Sequence, residues 1–173
     1  MDHSTAFHPA QGVRAAIPAL SLSQPWASLV ATSNKMIETR SWRTSYRGQL
    51  AIHAAKGFPA YARDVLELDH FWRPLEVAGH TIGRDPARRG SMAITHDLPL
   101  GAVLATARLV RCVRTEDIAP HLSSRELVFG DYEPGRWAWE LADVVRLPEP
   151  IPARGMLGLW DWQVPDGPAI DAG

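Results

Sequence analysis

Residues 17–42, Ile17-Pro-Ala-Leu-Ser-Leu-Ser-Gln-Pro-Trp-Ala-Ser-Leu-Val-Ala-Thr-Ser-Asn-Lys-Met-Ile-Glu-Thr-Arg-Ser-Trp42, read as strand, helix and strand in succession, and that succession decides the fold. Ile17 to Leu22 is a short apolar alternation suited to a strand. Ser23 then stands as N-cap, and Pro25 falls in the first helical turn, where its missing N–H is no loss. Trp26, Leu29 and Val30 share one helix face, and the helix is expected to close near Asn34, which tolerates the left-handed conformation. Alternation resumes from Met36 to Trp42. In a strand this puts Glu38, Arg40 and Trp42 on one side and Ile37, Thr39 and Ser41 on the other.

Outward from this segment the chain continues mostly in strands. Arg47 to Ala55 reads as a strand, and Phe58 to Leu68 as a helix with Tyr61, Val65 and Leu68 at helical spacing. Residues 73–99 are rich in Gly, Pro, Arg and Asp and are expected to form a surface loop insertion. Gly101 to Val113 is a strand too long to stay flat. Thr115 to Leu122 holds a helical turn with Thr115 as N-cap, Gly130-Asp-Tyr-Glu-Pro-Gly135 a turn, and Arg136 to Val145 and Gly158 to Trp162 the last strands. Residues 1–15 and 164–173 lack periodicity and are expected to be mobile. Strands outnumber helices, which predicts an α+β fold: a small, partly open mixed β-barrel with peripheral helices, in one domain over 16–163.

Composition narrows the function classes. The chain has 173 residues, 46% hydrophobic and 21% charged, as a globular domain requires. It contains no apolar run long enough for a membrane span and no secretory leader pattern. The single cysteine, Cys112, excludes an internal disulfide or a cysteine-based zinc site, and a cytoplasmic setting is expected. No metal-ligand spacing, GxGxxG or P-loop sequence occurs, so neither metal nor cofactor is expected. Net charge is −1, yet from Lys35 to Arg63 six basic residues face Glu38 alone. Such a local excess can hold a polyanion on a neutral protein.

The candidate site residues come from the same region. A carboxylate and a guanidinium one pleat apart, Glu38 and Arg40, suit the edge of a base, and Trp26 or Trp42 offers a stacking platform. Lys35, Arg43, Arg47 and Lys56 are candidate phosphate contacts, and His53 a candidate acid–base group near neutrality. The plain alternatives are an exposed Glu38–Arg40 ion pair, a core tryptophan and a hydrogen-bonded strand histidine.

Leu20-Ser-Leu-Ser-Gln-Pro-Trp-Ala-Ser-Leu29 followed by Lys35-x-x-Glu38-x-Arg40-x-Trp42 resembles the ASCH family. The resemblance continues through Tyr46-Arg-Gly-Gln-Leu-Ala-Ile-His-Ala-Ala-Lys56, Leu98-Pro-Leu-Gly-Ala-Val103 and Gly130-Asp-Tyr-Glu-Pro-Gly-Arg-Trp-Ala-Trp139, spanning about Ala19 to Trp162. It implies a PUA-like barrel whose cleft is lined by the Gly-x-Lys-x-x-Glu-x-Arg motif, with Asn34 standing in for the glycine. It also implies a partner: RNA, single-stranded nucleic acid or a modified nucleoside. Some members resemble metal-independent hydrolases, either ribonucleases or amidohydrolases acting on acylated cytidine nucleosides. Lys35 and Glu38 would be the catalytic residues here, although Glu38 occupies the amidohydrolase threonine's place and Thr39 is one residue off. A third reading is a protein-interaction module presenting its tryptophan-rich face.

Overall fold

The structure, a computed structural model, describes residues 16–165. The two termini expected to be mobile therefore lie outside the described residues, apart from Val164 and Pro165. The elements in chain order are β1 (Ala16–Leu22), α1 (Trp26–Ala31), β2 (Ile37–Arg40), β3 (Gly48–Ala54), α2 (Ala60–Asp64), α3 (Asp69–Val77), β4 (Ile82–Arg84), β5 (Ile94–His96), β6 (Ala102–Arg114), α4 (Thr115–Ile118), α5 (Ser124–Leu127), β7 (Trp137–Pro152) and β8 (Leu159–Gln163).

Six strands form one curled sheet in the order β2-β7-β6-β3-β1-β8, and β4 pairs with β5 in a separate hairpin. Only the β1–β3 pair is parallel, so the sheet is mixed, and with its flanking helices it makes the expected α+β, PUA-like half-barrel. The curl has a local cause. Along the β6–β7 ladder the register shifts at Val103/Ala105, Thr106/Arg108 and Leu109/Arg111, and each bulge bends and twists the pair. β6 thus does what its length demanded. No helix among the described residues is long and apolar enough to cross a membrane.

Packing divides between two main clusters. Leu20, Leu22, Leu50, Ile52, Leu104, Leu109 and Trp139 fill the space between sheet and α1. Leu29, Leu66, Phe71, Leu75, Ile94 and Phe129 join α1 to the helices that follow β3.

Several local expectations are corrected. Ser23 does not cap α1; Pro25 occupies the cap position, and no side chain caps it directly. Gln24 takes over that work, its Oε1 accepting from the Ser28 N–H at 3.1 Å while Nε2 donates to Ser28 Oγ and the Pro99 carbonyl, each at 2.8 Å. The left-handed residue after α1 is Ser33, with φ 56°, rather than Asn34. Ser33 lies two residues before Lys35, where the Gly-x-Lys spacing itself puts the motif glycine. Thr115 does not cap α4 either: Arg114 holds the cap position, and the Thr115 hydroxyl, on the first helical residue, donates to the Glu133 carbonyl at 2.8 Å.

The segment expected as a loop insertion at 73–99 holds the C-terminal half of α3 and the β4–β5 hairpin. The helix expected over 58–68 is shorter and breaks into a 3-10 turn at Val65–Glu67. That break changes the buried face. Ala62 and Leu66 turn inward, while Tyr61 and Leu68 are 64% and 47% exposed.

Candidate functional site

β2 spans only four residues, and its burial alternates: Ile37 and Thr39 inward, Glu38 and Arg40 outward. Glu126 fixes its start, accepting the Met36 N–H on Oε2 at 3.1 Å and the Ile37 N–H on Oε1 at 3.0 Å. The Ser123 hydroxyl caps α5 by accepting from the Glu126 N–H at 3.2 Å. Ser123-x-x-Glu126 is a capping-box spacing visible in the sequence, yet here the glutamate reaches across to a neighbouring strand instead of back to its own helix.

Beside β2 opens a cavity of about 700 Å³, within the range of small-molecule sites. Glu38 and Arg40 line it together with Ser21 and Ser23 of the β1 end, and Trp26 stands at the start of α1. The opposite wall is built by Tyr61, Val65, Leu68, His70 and Phe71. Phe129, Gly130, Asp131 and Arg136 complete it. Helices from the stretch after β3 therefore wall the cleft.

The charges in this cavity are organised in pairs. Glu38 Oε1 lies 3.3 Å from Arg40 Nε, and Glu38 Oε2 lies 3.4 Å from Lys35 Nζ. Arg40 Nη2 donates to the Ser21 carbonyl at 2.7 Å, which fastens β2 to β1 across the cleft floor. Arg136 Nε is 3.2 Å from Asp131 Oδ2. Two guanidiniums matched by two carboxylates leave a nearly neutral cleft that presents both donors and acceptors.

Gly130 is required by crowding. A Cβ there would stand 2.7 Å from Tyr132 Cε2 and 3.1 Å from Thr39 Cγ2. Burial, with the carboxylates of Glu126 and Glu38 behind it, holds the Tyr132 hydroxyl far above its ordinary titration range.

The predicted site residues are only partly brought together. Trp26, Glu38 and Arg40 line the cavity; Lys35, Trp42, Arg43, Arg47, His53 and Lys56 do not. Lys35 is wholly buried below the cleft, its ammonium donating to the Ile37 carbonyl and facing Glu38. Trp42 lies beyond the end of β2, so alternation no longer governs it, and its ring packs edge-on against Trp139 with centroids 4.6 Å apart. Arg43 and Arg114 lie over the Trp137 ring at 5.5 and 4.1 Å. Arg47 is spent on its own turn, donating to the Thr44 and Tyr46 carbonyls.

His53 and Lys56 line a second cavity of about 950 Å³, walled otherwise by Ser21, by Leu100 and Gly101 before β6, and by the β7–β8 connection. His53 is buried, 1% exposed. The Ala153 carbonyl, 3.1 Å from Nε2, can only accept, so Nε2 carries the proton and Nδ1 faces Ser21 Oγ at 3.1 Å. Desolvation lowers the pKa of His53, opposed by that bond to Ala153.

Of the seven tryptophans Trp139, Trp160 and Trp162 are buried, while Trp26, Trp42, Trp72 and Trp137 are half-buried. Several cavity residues escaped the sequence reading, Tyr61, Asp131 and Arg136 among them. Tyr61 reads in the sequence only as one position of a helical spacing, Asp131 sits in a stretch that reads only as a turn, and Arg136 reads as a strand start.

The ASCH domain family model matches residues 20–151 of this chain. Activating signal cointegrator 1 of Mus musculus is 36% identical over 94 residues, which cover 54% of this chain and 14% of that protein. Activating signal cointegrator 1 of Homo sapiens is 35% identical over 94 residues, with the same shares. The matched region is therefore a small part of each relative's length.

Proposed function

This chain belongs to the ASCH domain family, a PUA-like family thought to bind RNA, and from that premise we propose that it binds a nucleotide of single-stranded RNA in the cleft beside β2. One observation carries the reading: an ion-paired acceptor and donor, Glu38 and Arg40, open into a cavity walled by aromatic side chains. A base edge needs both donors and acceptors, and a base face needs an aromatic neighbour. Glu38 keeps acceptor capacity beyond its two cationic neighbours, and Arg40 Nη1 makes no hydrogen bond among the described residues. Trp26 packs edge-on against Phe71, centroids 5.9 Å apart, so it is held in place while still bordering the cavity. Tyr61, largely exposed, lines the same cavity as a second aromatic platform.

The hydrolase alternative requires an ammonium that can reach a substrate. Lys35 is buried beneath Glu38, so its role in this reading is to position that carboxylate. Arg43, exposed over Trp137, is a phosphate contact outside the cleft.

The test is titration of the chain with nucleoside monophosphates, modified nucleosides, short single-stranded RNA and single-stranded DNA, for wild type and Trp26→Ala. Loss of one base–aromatic stack, about 1–3 kcal/mol, should weaken RNA binding about five- to 150-fold. Unchanged affinity in Trp26→Ala would remove the stacking role, and wild type that binds none of these ligands would remove the reading.

A further inference from the structure

We propose that the second cavity is a subsite for the phosphodiester backbone flanking the nucleotide held beside β2, with Lys56 and Arg154 as its phosphate contacts. This rests on the reading above. Ser21 is the shared wall: it lines both cavities. Its carbonyl accepts from Arg40, while its hydroxyl meets His53 Nδ1, Trp160 Nε1 and the Met156 carbonyl. A strand lying in the first cavity and crossing Ser21 enters the second. Each cavity is the size of a small-molecule site, so a chain of linked nucleotides is the ligand able to occupy both.

Charge distinguishes the two. In the first cavity Arg40 and Arg136 each stand against a carboxylate, which suits a neutral base and offers little to a polyanion. The second cavity is lined by Lys56 and Arg154 and, among the described residues, by no Asp or Glu. Both cations are exposed. Phosphates are drawn to such a surface, and their contacts fix the register of a strand without reading its sequence. Around the cations stand Leu100, Met156 and Leu157, 39%, 55% and 98% exposed. An apolar rim beside two cations fits sugar and base faces next to phosphate better than it fits a free inorganic anion.

The wall is shaped for close approach. A Cβ on Gly155 would lie 2.4 Å from His53 Cε1 and 2.8 Å from Ser21 Oγ, so only glycine lets the β7–β8 connection press against the cavity floor. The Ala153 N–H donates to the Gly101 carbonyl at 3.0 Å, and His53 Nε2 donates to the Ala153 carbonyl at 3.1 Å. The segment carrying Arg154 is thereby tied at its start to β3 and to the turn before β6.

The experiment compares the intact chain, Lys56→Ala/Arg154→Ala and Trp26→Ala with two probes: nucleoside monophosphates, and a single-stranded RNA of roughly eight nucleotides. The double variant is expected to bind the RNA at least about tenfold more weakly. Its log–log salt slope should flatten by about 1.4, or 0.7 for each lost phosphate contact on a single strand. Its affinity for monophosphates should stay at the wild-type value. Both substituted side chains are exposed, so folding is preserved, and a thermal melt checks that. RNA affinity and salt slope equal to wild type would overturn the subsite, as would equal weakening of both probes. Wild-type binding to anionic lipid vesicles in place of RNA would overturn it too. Failure of the first-cavity reading looks different: Trp26→Ala would then leave both probes unaffected, whatever the double variant does.

Discussion

Lys35 has none of its surface in water, and its ammonium is held by the Ile37 carbonyl and the Glu38 carboxylate. A buried cation is tolerated only when paired and hydrogen-bonded; without Lys35, Glu38 still keeps Arg40 at 3.3 Å, so the loss falls on the Ile37 carbonyl and on the space the side chain fills. Lys35→Ala is therefore expected to destabilise the fold by about 2–5 kcal/mol, read as a fall in the urea midpoint. Lys35→Met keeps most of the volume and should lose less, because no void is left behind. A wild-type midpoint in Lys35→Ala would show that the ammonium supports nothing. Strand alternation alone puts Glu38 and Arg40 side by side, because one pleat separates them whatever the rest of the fold does. The depth of Lys35 was not legible, since it precedes β2 and no local pattern separates a buried lysine from an exposed one. Trp42 misled for the converse reason: β2 stops at Arg40, and periodicity carries no information past the last paired residue.

Among elements, β2 depends most on others. It pairs with β7 alone along four residues, and its leading backbone N–H groups are satisfied by a side chain from α5. Replacing Glu126 with Ala leaves the Met36 and Ile37 donors without their charged acceptor. About 2 kcal/mol of stability should be lost. RNA affinity should fall with it, because Glu38 and Arg40 ride on this strand. Glu126→Gln retains one acceptor oxygen and should fall between the two. Equal urea midpoints for all three proteins would mean that water replaces the clamp at no cost. β6 was readable from its run of Ala, Val and Leu, broken only by Thr106, Cys112 and the outward arginines, whereas β7 was read only to Val145 because the prolines of its Pro148–Pro152 end argue against a strand. The helices after β3 were harder. Pro74 inside α3 and the Gly/Pro/Arg-rich stretch behind it mimic a loop, although Phe71 and Leu75 keep the spacing of a buried helix face. The break at Asp64 shifted the inward face by one residue and turned Tyr61 toward the cleft. What looked like core spacing is site wall.

For the molecule as a whole, near-zero net charge and a pI of about 6.6 leave little overall self-repulsion near neutral pH. Its pH dependence there rests on individual buried groups, and two histidines dominate. His53 is lowered from its ordinary value of 6.5 by desolvation, against the opposing bond to Ala153. Desolvation and then the Arg63 charge lower His96 from the same value, with Asp97 opposing. A histidine whose folded pKa lies below its unfolded one stabilises the protein fully above the unfolded value. That contribution is lost as pH falls through the folded one, because the unfolded chain takes up the proton first. Between about pH 7.5 and pH 5.5, still above the ordinary carboxylate range, the urea midpoint should therefore drop. His53→Gln, which carries no charge at either pH, should show a smaller drop whatever its effect on absolute stability, with the remainder belonging to His96. If wild type has the same midpoint at both values, or the variant falls as steeply as wild type, burial of His53 against the β7–β8 connection is not what its hydrogen bonds indicate.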